Sequence, residues 1–219
     1  MEWTTLRLVN LLFGGAVTSI RIFIFTLIIS LPLGLAVALG RMSKKPWIQG
    51  PVKFYILVMR GTPLLLQIIF VYFAPSFMLP EGFRLNLDRF AAAIIAFSLN
   101  YAAYFAEIYR GGIESIPQGQ YEAAAVLGFT KAQTFTRIIL PQVIKRILPP
   151  ISNEVITLVK DTALVQVLGI SELFRVAKNE SSRIFSTTPI FIAGLFYLVM
   201  NWVVTRVFNF TENKLSYYK

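Results

Sequence analysis

Four apolar stretches, each about long enough to cross a lipid bilayer as a helix, limit the folds open to this chain. They cover residues 20–39, 54–74, 90–108 and 189–205. A helix needs roughly 20 residues to cross a hydrocarbon layer about 30 Å thick. Hydrophobic residues make up 56% of the 219 residues, which is more than a soluble domain of this size needs to bury. The sequence therefore predicts an all-α polytopic membrane protein with one transmembrane domain over residues 1–219.

A fifth span is expected between about Val143 and Leu168, in a segment where the apolar pattern is weaker. Two prolines and three charged residues interrupt it: Pro149, Pro150, Glu154, Lys160 and Asp161. An ionisable residue inside a membrane is costly and is by default a candidate functional residue. The segment is therefore both a predicted span and a predicted source of functional side chains.

The positions of lysine and arginine predict the orientation, because cytoplasmic loops carry an excess of these residues. They lie after the first stretch and around the polar interval that follows the third: Arg41, Lys44, Lys45, Lys53, Arg110, Lys131, Arg137, Lys145 and Arg146. The connections near residues 81–89 and 172–183 carry mixed charges, and Arg206, Lys214 and Lys219 indicate a cytoplasmic C-terminus. Five spans with the N-terminus outside satisfy this pattern. Topology and attraction to anionic lipid then explain the net charge of +10, and no nucleic-acid partner is expected.

The residue types that the chain lacks exclude several kinds of site. It contains no cysteine and no histidine, so disulfides, thiolate metal sites and imidazole chemistry are excluded. It also lacks the G-x-x-x-x-G-K-[ST] phosphate loop. A membrane-embedded enzyme would depend on carboxylates such as Glu107 and Glu154. We therefore expect no catalytic residue, no metal ligand and no cofactor on this chain.

The polar interval from Gly111 to Gln142 lies between the predicted span at residues 90–108 and the one expected near residues 143–168. It carries the signals of two short helices. Pro117 suits a first helical turn, and Gly128 suits the left-handed residue that ends a helix. Thr130 and Gln133 have the spacing of a capping box, which begins the second helix. These signals alone fit either a helical hairpin in the membrane interface or a knob that enters another protein's cleft.

A longer spacing pattern in this interval carries a family resemblance. Glu122-Ala123-Ala124 is followed after three residues by Gly128, after nine more by Ile138, and after one more by Leu140-Pro141. The pattern resembles the EAA loop of the permease subunits of binding-protein-dependent ABC importers, at every signature position. The resemblance implies that residues 111–142, the coupling region, contain a coupling helix that seats in a groove of a separate ATPase subunit.

Three other strings resemble those of the polar-amino-acid branch of these permeases, which includes transporters for histidine, glutamate, glutamine, arginine and cystine. Residues 60–67 read Arg-Gly-Thr-Pro-Leu-Leu-Leu-Gln, and residues 12–15 read Leu-Phe-Gly-Gly with Thr18 after them. The third string is Lys160-Asp161-Thr162. The resemblance implies that the transported molecule is a polar amino acid.

The candidate substrate-binding residues are four polar residues inside or beside the predicted spans, together with a glycine at the predicted break: Asn100, Glu154, Thr62, Gln67 and Gly61. Thr62 and Pro63 form an N-cap and first-turn pair, which predicts a break in the second span or the end of a cytoplasmic helix there. An unpaired amide at Asn100 would cost about 1–3 kcal/mol, so it needs a partner. Glu154 either meets a substrate ammonium, pairs with an internal cation, or lies in a cytoplasmic vestibule. Lys160 and Asp161 are expected to have structural or gating roles.

The resemblance also implies the partners and the mechanism. A second permease chain, identical or related, would face this one, and two ATPase subunits would bind ATP and Mg²⁺ on the cytoplasmic side. An extracytoplasmic solute-binding protein would deliver the amino acid to a path that opens by alternating access across the bacterial inner membrane. The alternative is a secondary amino-acid or ion carrier that ATP does not drive. Such a carrier would be expected to show inverted repeats, and none is visible in the sequence.

Overall fold

The computed structural model describes residues 2–78, 80 and 86–215, and side chains from residue 6 onward. Within these residues every regular element is helical. In chain order they are α1 (Glu2–Arg41), α2 (Pro46–Gly61), α3 (Leu64–Phe77), α4 (Arg89–Glu114), α5 (Gln118–Val126), α6 (Lys131–Gln133), a π-helical segment (Thr134–Ile139), α7 (Leu140–Asp161), a 3₁₀ segment (Thr162–Leu168), α8 (Leu173–Ile184) and α9 (Thr188–Lys214). Most of the loop predicted near residues 81–89 and Lys219 at the C-terminus lie outside the described residues.

Three of the described helices, α1, α4 and α9, are long and apolar enough to cross a membrane. The bent pair of α2 and α3 makes a fourth if it is counted as one span. The expected fifth span corresponds to α7 and the 3₁₀ segment; α7 has 22 residues but is too polar to be counted with the other helices. The predicted all-helical membrane fold is confirmed, whereas the number of spans and the orientation stay predictions.

The second apolar stretch, residues 54–74, is not one straight span. α2 ends at Gly61, α3 begins at Leu64, and the two helix axes differ by 113°. The predicted helix break at Gly61 is therefore confirmed, and it fits both a broken span and a helix that ends before the span, but the predicted capping role of Thr62 is wrong. Thr62 is the C-cap of α2, and its hydroxyl donates back to the carbonyl of Val58 at 2.8 Å.

Small side chains on α1 allow it to pack closely against α4. Thr26, Ser30, Gly34 and Ala38 recur every fourth residue, so they share one face of the helix, and all of them are buried. Alanines of α4 are buried as well: Ala92, Ala93, Ala96, Ala102, Ala103 and Ala106. Helices in lipid associate through such close contacts because lipid is as apolar as leucine and provides no hydrophobic driving force between them. The α1–α4 contact is therefore a main element of the core.

We expect Gly34→Ala to destabilise the protein. A Cβ at Gly34 would lie 2.8 Å from the Cβ of Phe105 and 3.1 Å from the carbonyl oxygen of Ala102, so the helices must move apart. Overpacking of this kind costs about 1–3 kcal/mol, which should lower the melting temperature in detergent by several degrees. Gly14→Ala is the matched control, because a Cβ at Gly14 on the same helix meets no atom within 4 Å. Equal melting temperatures for the two variants would contradict the expectation.

Helix α8 packs against the N-terminal half of α1 and against α9. Leu12 and Ala16 of α1 form a buried cluster with Leu173 and Ala177 of α8 and with Ala193 of α9. Gly15 brings the two backbones together, since a Cβ there would lie 2.9 Å from the Cα of Leu173. This contact gives a structural reason for glycine in the string at residues 12–15.

Candidate functional site

The first helix of the coupling region is α5, and it ends where the sequence predicts. Leu127 is its C-cap, and Gly128 follows with φ +77°, a left-handed conformation that glycine adopts without strain. The N–H of Gly128 donates to the carbonyl of Ala125, and the N–H of Phe129 donates to that of Ala124, each at 3.0 Å. The carbonyls at the end of α5 are thereby satisfied.

The second helix begins with the predicted capping box. The N–H of Thr130 donates to the side chain of Gln133 at 2.9 Å, and the N–H of Gln133 donates to the Thr130 hydroxyl at 3.3 Å. The helix then continues through α6 and the π-helical segment into α7. Ile138 lies in the π-helical segment, and Leu140 and Pro141 begin α7. The hairpin of the coupling region is therefore continuous with α7, in the span that is predicted between about residues 143 and 168.

A small apolar cluster joins the coupling region to α4 and α7. Ile116, just before α5, is buried against Ile139 and Val143, and Tyr121 of α5 packs on the same cluster. Arg146 adds a polar connection, because its guanidinium donates to the carbonyl and, at 2.9 Å, to the hydroxyl of Ser115 at the end of α4. The coupling region is thus packed and hydrogen-bonded against two helices of the core.

The signature residues divide between the surface and the interior. Glu122, Ala123, Gly128 and Pro141 are exposed, Ala124 is buried, and Ile138 and Leu140 are half-buried. Beside them, Val126 and Leu127 are 88% and 73% exposed. Exposed apolar side chains grouped in this way are typical of a surface that another protein covers.

Asn100 finds its partner at the break between α2 and α3. Its amide donates to the carbonyl of Met59 and to the side-chain oxygen of Gln67, each at 2.9 Å. Gln67 in turn donates to the Met59 carbonyl at 3.0 Å and to the Thr62 hydroxyl at 2.8 Å. The Met59 carbonyl needs these donors, because a continuous helix would pair it with the N–H that Pro63 lacks.

The structure thus brings three of the predicted substrate-binding residues, Asn100, Gln67 and Thr62, into one hydrogen-bond network. Gly61 lies next to it, and a Cβ there would meet no atom within 4 Å. The three polar side chains form hydrogen bonds with one another and with the backbone. Their geometry therefore shows that they stabilise the break between α2 and α3.

Glu154 is separate from this network. It is a half-buried residue of α7, and among the described residues no donor or cation forms a hydrogen bond or ion pair with it. Arg60 and Asp161 act on it electrostatically without such a contact. Asp161, on the same face two turns later, accepts a hydrogen bond from the Tyr101 hydroxyl at 2.8 Å. Lys160 is exposed, and it does not pair with Asp161 within the described part of the chain.

Near the C-terminal end of α4, Glu107 is held by several cations. It pairs with Arg110 at 2.7 Å, as its spacing three residues before that arginine suggests, and with Arg41 at 3.6 Å and Arg60 at 3.9 Å. These ion pairs connect α1, α2 and α4 at one end of the bundle. Only the local pair is predictable from the sequence, because the other two partners are distant along the chain.

Glu172 is the buried carboxylate that sequence reasoning missed. The residue is 0% exposed and caps α8, accepting from the N–H groups of Phe174 at 2.7 Å and Arg175 at 2.6 Å. The hydroxyl of Tyr197 on α9 also donates to it, at 3.1 Å. Burial raises the pKa of the Glu172 carboxyl, and these donors act in the opposite direction. Glutamate is not among the favoured N-cap residues, so no local signal in the sequence identifies it.

The sequence is similar to those of known transport proteins over most of its length. Residues 30–217 match the family model described as binding-protein-dependent transport system inner membrane component. The arginine transport system permease protein ArtQ of Bacillus subtilis is 38% identical over 216 residues, which cover 97% of this chain and 95% of that protein. The octopine transport system permease protein OccM of Rhizobium radiobacter is 38% identical over 207 residues, covering 92% and 84%. The L-cystine transport system permease protein TcyB of Bacillus subtilis is 37% identical over 210 residues, covering 95% and 88%.

Solved structures show the same fold. A chain from the crystal structure of an amino acid ABC transporter with histidines superposes with a TM-score of 0.86 at 33% identity, and the match covers 97% of both chains. A chain of the MetNI methionine ABC transporter in an inward-facing conformation gives a TM-score of 0.70 at 17% identity, covering 99% of both chains. The second match concerns the fold alone.

Proposed function

Because this chain belongs to the family of inner membrane components of binding-protein-dependent transport systems, we propose that it is the permease subunit of an ABC importer for a polar amino acid. Its relatives are transport components and not enzymes, and ATP hydrolysis belongs to a separate chain. The amino-acid substrate is supported by relatives whose names include arginine and L-cystine, and by the likeness to an amino acid ABC transporter.

The observation that carries the proposal is the coupling region. A short helix, α5, presents exposed Val126 and its C-cap Leu127, and it packs through a buried cluster on α4 and α7. We assign ATPase contact or its support to the residues of the signature pattern: Glu122, Ala123, Ala124, Gly128, Ile138, Leu140 and Pro141. In this assignment the exposed members meet the ATPase, and the buried members hold the helix in place.

The complete importer would contain this chain, a second permease chain that is identical or related, and two ATPase subunits. ATP and Mg²⁺ would be bound by the ATPases, and an extracytoplasmic binding protein would supply the amino acid. Five spans with the coupling region in the cytoplasm fit the distribution of lysine and arginine. Closure of the ATPases around ATP would then move α5, and with it α4 and α7, to open the path outward.

For the amino acid itself, Glu154 is the candidate contact. It is half-buried and unpaired within the described residues, so a substrate ammonium would supply the charge that it lacks. Asn100, Gln67, Thr62 and Gly61 would shape the wall of the path, and Lys160 and Asp161 would have structural or gating roles.

The proposal is tested by substrate-stimulated ATP hydrolysis. The chain is co-expressed with its ATPase, reconstituted in lipid, and assayed with its binding protein across arginine, histidine, glutamine, glutamate and cystine. Stimulation by a group of these amino acids would support both the importer and its substrate class. An ATPase that binds but responds to no amino acid would overturn the substrate class. Uptake that follows a proton gradient without ATP would instead support a secondary carrier.

We expect Glu154→Gln to weaken this stimulation, because the amide keeps the shape of the carboxylate but cannot attract an ammonium group. The half-maximal amino-acid concentration should rise about tenfold, the effect of losing roughly 1.4 kcal/mol. Glu114→Gln is the matched control, since Glu114 is an exposed residue at the end of α4 that pairs with Arg110. An unchanged half-maximal concentration and maximal rate in Glu154→Gln would show that Glu154 does not contact the substrate.

A further inference from the structure

A cavity of about 620 Å³ lies where α3, α4, α8 and the 3₁₀ segment meet. Its lining includes three cations, Arg89, Arg175 and Lys178, together with Tyr72 and Gly169. Arg89 is the first residue of α4, whereas the coupling region packs near the last residues of that helix. The 26 residues of α4 span about 39 Å, so the cavity lies on the side of the molecule opposite the proposed ATPase surface.

Two of the guanidinium groups in this cavity approach a single backbone position. Gly169 has φ +82°, and a Cβ there would lie 2.9 Å from Nη1 of Arg175 and 3.0 Å from Nη1 of Arg89. The absence of a side chain therefore leaves room for both arginines at one wall. They come from separate elements, since Arg89 begins α4 and Arg175 lies in the first turn of α8.

These charges have no counter-ion among the described residues. None of the ion pairs in the described part of the chain involves Arg89, Arg175 or Lys178, and the described lining contains no carboxylate. Within the described residues, the side chain of Arg175 donates only to the carbonyl of Gln166, at a long 3.4 Å. By contrast Arg183, a cation on the same helix, pairs with Glu180 at 2.6 Å. Like charges held together in this way favour an anion between them.

The chemistry of the cavity favours a carboxylate on a partner protein over a free amino acid. A guanidinium offers paired donors that match the two oxygens of a carboxylate. A zwitterionic amino acid would also bring an ammonium group among three cations, with no described carboxylate in the lining to receive it. An aspartate or glutamate side chain brings the negative charge without the ammonium.

We propose that this cavity receives an acidic side chain of the extracytoplasmic binding protein and so serves as a docking point for it. The inference rests on the proposed function, because it requires that such a protein deliver the amino acid. Glu172 supports the arrangement by capping α8, since its carboxylate holds the backbone N–H of Arg175 at 2.6 Å. This contact fixes the start of α8, the helix that carries Arg175 and Lys178, before the partner arrives.

The test measures the affinity of the complete transporter in lipid nanodiscs for its fluorescently labelled binding protein, over a range of salt concentrations. We expect Arg175→Gln, Arg89→Gln and Lys178→Gln each to weaken binding, up to about tenfold for the half-buried Arg175, and to reduce the salt dependence. Arg175→Lys should restore part of the affinity. The matched control is Arg183→Gln, which removes a charge from the same helix outside the cavity lining and should bind as the wild type does.

Other outcomes separate this inference from the proposed function. The docking proposal is overturned if the binding protein stimulates the wild type normally and binds the three cavity variants with the affinity and salt dependence of the wild type. The proposed importer function is unaffected by that result. If millimolar glutarate binds the wild type but not Arg175→Gln, while both bind the binding protein equally, the cavity is a site for a free anion and the docking proposal is again overturned. Should the binding protein fail to bind or stimulate the wild type, the proposed function falls and the docking point with it. Lys178→Gln keeps the test decisive if the arginine variants do not fold, because Lys178 is exposed.

Discussion

A Gly128→Asp chain should insert into the membrane and fold, yet lose its ATPase. Gly128 is exposed at the end of α5 with φ +77°, beside the exposed apolar Leu127. A left-handed conformation costs a residue other than glycine about 1–2 kcal/mol, and aspartate tolerates it better than most. The larger effect is a carboxylate placed at an apolar contact. We expect ATPase co-purification and substrate-stimulated ATP hydrolysis to fall by about tenfold or more.

Two controls separate the charge from the backbone conformation. Gly128→Asn adds similar bulk, tolerates the left-handed conformation and carries no charge, so it should retain more coupling than the aspartate. Gly50→Asp adds the same carboxylate in α2, outside the coupling region, where a Cβ meets no atom within 4 Å, and should leave the ATPase bound. Normal co-purification together with normal uptake in Gly128→Asp would argue against the assigned role of this turn.

Glu172→Ala should be the most destabilising of the substitutions considered for α8. It removes the acceptor for the N–H groups of Phe174 and Arg175 and for the hydroxyl of Tyr197. Buried donors left without a partner cost about 1–3 kcal/mol each. We therefore expect the free energy of unfolding to fall by an amount near the upper end of that range or above it. The melting temperature in detergent should fall sharply, and uptake should fall with it because α8 is no longer fixed to α9.

The neighbouring acidic residue provides the control for this prediction. Glu180→Ala removes a carboxylate from the same helix, but its ion-pair partner Arg183 is 63% exposed, so the pair should contribute little. Glu172→Gln keeps one acceptor oxygen and should therefore melt between the wild type and Glu172→Ala. A Glu172→Ala protein that melts together with Glu180→Ala would refute the role of this carboxylate.

Local signals predicted much of the structure because they depend on neighbours along the chain. Gly128 ends α5, the capping box of Thr130 and Gln133 begins the next helix, and a helix ends at Gly61, all as the sequence indicates. The predicted capping role of Thr62 is wrong because α2 and α3 end and begin a residue or two away from the predicted positions. Cap preferences alone do not locate helix boundaries that closely.

Contacts between distant residues were beyond the reach of the sequence. The need of Asn100 for a partner was predictable from the cost of a bare amide in lipid, but Met59 and Gln67 were not, because they lie 41 and 33 residues away. Glu172 was overlooked in a loop of mixed charge, since nothing local shows that Tyr197 of α9 covers it. The cationic cavity likewise depends on four elements, α3, α4, α8 and the 3₁₀ segment, that meet near Gly169.

The corner between α2 and α3 also separates the parts of this protein that can move from those that cannot. If the corner straightened, the Met59 carbonyl and the amides of Gln67 and Asn100 would lose their hydrogen-bond partners inside the membrane. Each unsatisfied group would cost several kcal/mol. The two short helices and the middle of α4 should therefore travel as one rigid block during a transport cycle. The backbone hydrogen-bond pattern is instead irregular at both ends of α7, in the π-helical and 3₁₀ segments. We expect the helices to bend at these two segments.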